Sequence, residues 1–306
     1  MGRIELKTRL AAVSGAAVFV LLGLCADGAF ANTGGRGVDE KTATAAMDAA
    51  KEINMTGLRL LSEGKSADAI VKFSEALAVS PACAPAAHNL AKLDMSLGNV
   101  AGAREVLERF VLAAPDDIQG RALLAQAYAL ESRECDARSG LSWLKSRGCV
   151  RELSDIAAFL AARKNFSLAN EAADLALSVS PGDAQALYNK AAIAESEGDL
   201  KRAEEFYRKS LGARRDATTL LALAALMEKA GDVQSAKGLF EEAYATEVSP
   251  ETQYNLGRFL FFVQNENERG LKMMMAAAKG EGFAAHSARK TLLALRELAR
   301  KEEVSK

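Results

Sequence analysis

Four short stretches decide how this chain folds: GKSADA at Gly64–Ala69, GNVAGA at Gly98–Ala103, GDLKRA at Gly198–Ala203 and GDVQSA at Gly231–Ala236. Each opens on a glycine, which reaches the left-handed backbone region that ends a helix. Asn99, Asp199 and Asp232 follow directly, where an oxygen-bearing side chain accepts the free N–H groups of a new helix. Each stretch closes on an alanine, and larger residues recur beyond it at helical spacing: Phe73 and Ala76 after Ala69, Tyr207 after Ala203, Phe240 and Ala243 after Ala236. Steps of four and three keep such residues on one helix face. The repeated unit is therefore helix, tight turn, helix.

The prolines set the joints between units. Pro81, Pro85, Pro115, Pro181 and Pro250 are the whole set, and Pro81 to Pro115 spans 34 residues. The longer gaps to Pro181 and Pro250 are each near two such periods. Proline lacks an N–H and clashes with the preceding turn, so it is expelled from helix interiors. Prolines on a grid mark the breaks of a helical array.

In period and pattern the chain resembles the tetratricopeptide repeat (TPR) family. Units starting near Ala50, Ala84, Ile118, Val150, Ala184, Ala217 and Pro250 place a small residue at the eighth position throughout: Gly57, Ala91, Ala125, Ala157, Ala191, Ala224 and Gly257. The third unit replaces the glycine turn with ESRECDA, and the seventh carries one extra residue in QNENERG, which brings Gly270 to the slot held by alanine elsewhere. The resemblance implies an all-α, right-handed α-solenoid of about seven helix-turn-helix TPR units over residues 50–283. Residues 284–306 follow, where Ala288, Leu292, Leu295 and Ala299 recur on one face among Arg289, Lys290, Arg296, Glu297, Arg300 and Lys301. They read as an amphipathic helix capping the open end of the array, plus a tail.

The first residues have the pattern of an export signal. Arg3, Lys7 and Arg9 precede an uncharged run, Leu10–Leu24, and Ala29 and Ala31 stand where a signal peptidase requires small residues. Fifteen residues at ~1.5 Å each fall short of a ~30 Å hydrocarbon core. Residues 1–31 are therefore expected to be a cleaved signal peptide, with residues 32–49 a flexible leader and helix lead-in. The expected location is periplasmic or secreted, with no stable membrane insertion after cleavage. Leu24 before Cys25 departs from a lipoprotein signal.

The composition excludes several function classes. A net charge of −1 gives no global field toward nucleic acid. The two histidines, His88 and His286, are far apart, and no H-E-x-x-H, G-x-S-x-G or phosphate-cradling glycine loop occurs. Cys83, Cys135 and Cys149 include no C-x-x-C pair and read as buried small apolar residues. No enzyme activity, cofactor or metal is expected; the partner is a protein or peptide.

One local pattern recurs: His88-Asn89, Tyr188-Asn189 and Tyr254-Asn255 fall at positions 5 and 6 of their units. The resemblance implies that the first helix of each unit lines a concave groove and that asparagine at position 6 grips the backbone of a bound segment, since an amide both donates and accepts. The alternative is that the asparagines brace the neighbouring helix. Lys92, Met95, Gln185, Arg258, Phe261 and Phe262 are further groove positions. The basic clamp that TPR proteins use for chaperone tails is absent, because Asn54, Leu58, Gln119 and Leu123 occupy its other slots and only Asn89 matches. The sequence thus reads as a non-catalytic binding scaffold of the cell envelope, in pilus, secretion or cell-wall assembly. The alternatives are a holder of an apoprotein for cofactor delivery, such as cytochrome c maturation, and a lipid-anchored structural component.

Overall fold

A computed structural model describes residues 40–304, so the expected signal peptide, Cys25 and the leader up to Asp39 lie outside the described residues. The chain divides into two compact units, residues 1–45 and 46–306. The described part of the first is the opening of helix α1. The second contains the repeats.

Fifteen helices and no strand make up the described residues. They run α1 (Glu40–Ser62), α2 (Ser66–Val79), α3 (Ala84–Ser96), α4 (Val100–Ala113), α5 (Ile118–Leu130), α6 (Glu134–Ser146), α7 (Val150–Ala162), α8 (Phe166–Val179), α9 (Ala184–Ser196), α10 (Leu200–Ala213), α11 (Ala217–Ala230), α12 (Val233–Thr246), α13 (Pro250–Phe262), α14 (Asn267–Ala277) and α15 (Gly282–Val304). The architecture is an all-α solenoid of helical hairpins. Six first helices begin at the residues where the repeat pattern starts its units. The helix of the first unit starts earlier, at Glu40, so the lead-in is already helical there.

Every turn inside a hairpin carries one left-handed residue. Glycine supplies it at Gly64, Gly98, Gly198 and Gly231, whereas Ser132, Lys164 and Asn265 do so with side chains, at φ 59°, 63° and 58°. The third unit therefore keeps the turn geometry without the glycine. A side chain in this region costs roughly 1–2 kcal/mol, partly offset because glycine loses more freedom on folding. Lys164→Gly is expected to raise the unfolding free energy by about 0.5–1 kcal/mol, read as a higher urea midpoint at unchanged slope. After the turn, Asn99, Asn165, Asp199 and Asp232 accept backbone N–H bonds from Gly102, Leu168, Arg202 and Ser235 and so cap the second helices.

The core sits between the two helices of each hairpin and between successive hairpins. Small residues let the hairpin helices meet: Ala69, Ala103, Ala137, Ala169, Ala203, Ala236 and Gly270 are all buried. Four residues on lies a slot of variable size, filled by Phe73, Leu107, Leu141, Ala173, Tyr207, Phe240 and Met274, again all buried. Sizes are matched across the seams. Phe110 stands where four other units carry alanine (Ala76, Ala176, Ala243 and Ala277), and it fits because Gly120 faces it; a Cβ on Gly120 would lie 2.5 Å from the Phe110 ring.

The array ends on α15, packed against α13 and α14. Ala284, Ala285 and Ala288 are buried, the Arg289 guanidinium donates to the carbonyls of Ala278 and Gly280 at the end of α14, and the Tyr254 hydroxyl meets Thr291 at 3.2 Å. A cation at a helix C-terminus is favourable because the last carbonyls are unpaired. The expected capping stripe is covered along its first turns only: Leu292 and Leu295 are half-buried and Ala299 is exposed.

Candidate protein-binding face

The first helices of the units carry the candidate residues, and the structure separates them into three groups. In the first are side chains that tie one unit to the next. His88 Nε2 lies 2.8 Å from Asp117 Oδ1, and Asp117 itself caps α5 by accepting from Gly120 N. Ser154 repeats the arrangement one pair of units later: its hydroxyl donates to Asp183 Oδ1, and Asp183 caps α9 by accepting from Ala186 N. In the second and fourth units the fifth position thus anchors the cap of the following unit. His88 also stacks edge-on against Phe110, and Tyr188 against Tyr207, each at 5.5 Å between ring centres. Burial, with Glu195 and Asp216 nearby, pushes the Tyr188 hydroxyl above its ordinary pKa. Burial, then the Glu195 carboxylate to which it donates and the nearby Tyr188, push the Tyr207 hydroxyl up as well. Both phenols stay neutral in the physiological range.

The asparagines do not share one role. Asn189 is 2% exposed, donates to the Ser154 carbonyl of the preceding unit at 2.7 Å and accepts from Gln185 at 3.1 Å. Asn89 reaches back to the equivalent position and donates to Asn54 Oδ1 at 3.0 Å. Both are seam braces, and Asn189 is sealed from any ligand. The expectation that Asn189 grips a bound segment therefore gives way to the bracing alternative, because its neighbours satisfy and cover the amide. Asn255 differs: its amide donates to Glu251 O within its own helix and the side chain is partly open to solvent. Removing a buried hydrogen-bonding group costs about 1–3 kcal/mol. Asn189→Ala is expected to lose that much stability, measured by urea unfolding, while Asn255→Ala is expected to shift the midpoint by less than about 0.5 kcal/mol.

In the second group, Arg258 pairs with Glu228 of the preceding unit through two guanidinium bonds, at 3.0 and 2.5 Å. Those bonds raise the Arg258 pKa further above its ordinary value, so the cation is held at the seam. The third group is open. Lys92 and Phe262 are exposed, Phe261 is half-buried, and the two phenyl rings stand edge to face at 4.9 Å at the end of α13.

Sequence reasoning did not single out Asp117, Asp183 or Ser154. The signal for the two aspartates is their place one residue before the first helices α5 and α9, and Ser154 is recognisable only once the units are superposed. Among the described residues no group of three His, Cys, Asp or Glu could hold a metal ion. Cys83 and Cys149 are buried and Cys135 is exposed, all three as free thiols. No described helix is long and apolar enough to cross a membrane.

Two segments of the chain match tetratricopeptide repeat models, residues 60–127 and residues 184–216. No curated protein sequence matches the chain. Similar solved structures include a tetratricopeptide repeat protein from Parabacteroides merdae, at 16% identity over 79% of this chain and 97% of that one, with a TM-score of 0.47. The human IFIT1 dimer with m7Gppp-AAAA matches at 16% identity over 86% of this chain and 69% of its own, TM-score 0.52. PilF from Pseudomonas aeruginosa matches at 18% over 78% and 92%, TM-score 0.45. At such identities the likeness to IFIT1 speaks for the fold alone. The matched segments and the solenoid of helical hairpins together support the tetratricopeptide repeat family for this chain.

Proposed function

We propose that the chain is a non-catalytic protein-binding scaffold of the cell envelope, exported with cleavage near Ala31, whose first helices present a groove to an extended peptide or a partner helix. TPR proteins mediate protein–protein interactions, and that coarse role follows from the family. The finer reading rests on one observation. The first helices leave Lys92, Asn255 and Phe262 accessible, while every buried side-chain N or O among the described residues has an internal partner. Such a face is preformed and loses little on ordering when a partner docks. A cation, an amide and an apolar ring at three points suit a segment read partly through its backbone and partly through one apolar side chain. In this reading the scaffold holds partners together while envelope machinery is assembled.

Site-specific photocross-linking in intact cells tests the proposal. A photoreactive residue at Lys92 or Phe262 is expected to trap a protein partner in the envelope fraction, whereas one at Leu112, on the second helix of its unit and 82% exposed, is expected to trap little. Asn255→Ala should then weaken binding of the trapped partner by about 0.5–1.5 kcal/mol without destabilising the fold. Equal trapping at Leu112 and Phe262, or trapping only in the cytoplasmic fraction, would refute it.

A further inference from the structure

The outward face of α15 matches none of the roles assigned so far. Lys290, Arg296, Arg300 and Lys301 are exposed on it, and none of the four makes an ion pair with a side chain of residues 40–301. Arg289, the fifth cation, is engaged with the end of α14. Glu297 is the one carboxylate between Gly282 and Lys301, and Glu302 and Glu303 follow in the sequence. Most second helices in the array place their cations beside carboxylates, as Arg208 with Glu204 and Lys209 with Glu205. The lack of such pairs on α15 sets it apart.

Large apolar side chains stand among these cations. Phe283 is 85% exposed at the start of the helix, and Leu293 is 57% exposed. At 100° per residue Leu293 falls between Arg296 and Arg300 on one side and Lys290 and Lys301 on the other, about 140–180° from Ala288 and Ala284, which the array buries. Leu298, also 57% exposed, lies at the edge of the half-covered stripe. The cationic face is thus studded with apolar groups over the length of the helix from Phe283 to Lys301, about 27 Å.

We propose that this face of α15 docks the protein onto an anionic lipid surface. Lysine and arginine stems extend to phosphate headgroups while Phe283 and Leu293 enter the boundary with the acyl chains. The face is convex, so it offers no groove to a partner side chain. A second copy of the helix would bring like charges together. A coiled-coil partner would find a free seam of only Leu295, Leu298 and Ala299, far short of the several heptads that pairing needs. An anionic membrane meets both the charge and the apolar side chains without demanding shape. This is peripheral docking and adds no membrane-crossing segment. It concerns a different surface from the groove, so either reading can fail alone.

Vesicle co-sedimentation of the full chain provides the test, with a triple variant Lys290→Glu, Arg296→Glu, Arg300→Glu and a second variant Phe283→Ser, Leu293→Ser. The Leu10–Leu24 run is common to all three proteins, so differences among them report on α15. Each cation near an anionic surface strengthens partition by about fivefold at physiological salt. The triple variant is therefore expected to bind phosphatidylglycerol vesicles at least about 100-fold more weakly, and the apolar variant more weakly as well. Wild-type protein should prefer phosphatidylglycerol to phosphatidylcholine, less so as salt rises. Because all five side chains are exposed, unfolding midpoints should not move. Equal vesicle binding by wild type and triple variant would overturn the proposal. So would wild-type binding to polyglutamate but not to phosphatidylglycerol vesicles, which would make the face a site for acidic protein.

Discussion

Gly270→Leu is expected to destabilise the C-terminal end of the array by about 3 kcal/mol or more. A Cβ on Gly270 would lie 2.7 Å from the Gly257 carbonyl oxygen and 2.8 Å from both the backbone nitrogen and the Cβ of Phe261. Gly257 answers in kind, since its Cβ would fall 2.9 Å from the Gly270 carbonyl. Two are backbone atoms and the third is a Cβ fixed to the backbone, so no rotamer change relieves the clash and helices α13 and α14 must separate. Helix propensity acts the other way, because replacing a mid-helix glycine usually stabilises by up to about 1 kcal/mol. The steric term wins where backbones touch. Gly238 supplies the control: it lies in α12 with nothing within 4 Å of its virtual Cβ. Gly238→Ala is expected to raise the urea midpoint while Gly270→Leu lowers it. Hydrogen exchange should accelerate in α13 to α15 for Gly270→Leu and stay as wild type in α3 and α4, since each unit contacts chiefly its neighbours. A midpoint unchanged by Gly270→Leu would show that the two helices do not cross there.

Phe240→Ala is expected to cost about 3–5 kcal/mol. The ring is fully buried in α12 and stands 5.0 Å from the Phe259 ring of the next unit. Truncation removes both the burial and the contact across the seam between the sixth and seventh units. The surrounding Ala236, Ala243, Leu256 and Leu260 are themselves buried. Their helices are tied on both sides, so collapse into the cavity is limited. Phe240→Leu, which keeps most of the volume, should recover more than half of the loss. If alanine and leucine cost the same, the ring does not fill a closed slot and the packing across this seam is looser than described. Because an array is nearly a sum of units and interfaces, the loss should appear first as a separate early transition of the C-terminal units.

The proposed face was legible in the sequence only in part. Aromatic-asparagine pairs at one unit position are visible in the letters, and each pair falls at the fifth and sixth residues of its helix. Their chemistry is decided by the neighbour. Asn189 meets the Ser154 carbonyl and is buried, Asn89 meets Asn54, and Asn255 bonds the Glu251 carbonyl of its own helix. The partners of Asn89 and Asn189 come from 35 residues earlier, and no local pattern encodes the distance between groups on separate helices. Arg258 likewise looks like a free groove cation until Glu228 is found beside it.

What the sequence alone determined is the unit. Glycine and cap residues set the turns, four-and-three spacing set the buried faces, and small residues at fixed positions set which helices touch; all are local rules of backbone geometry and helix periodicity. The position of the Gly257–Gly270 crossing follows from them, as does the start of most first helices. Only the tertiary structure decided what crosses the seams. Phe110 opposite Gly120, His88 and Ser154 holding the caps of the next unit, and the left-handed turns at Ser132 and Lys164 are settled by packing between residues distant in sequence, which overrides the local preference of each. The coverage of α15 belongs to the same class. Its amphipathic pattern runs unbroken from Ala288 to Ala299, yet burial fades from Ala288 through half-buried Leu292 and Leu295 to exposed Ala299, because the length of the surface it packs on is a property of the array and not of the helix.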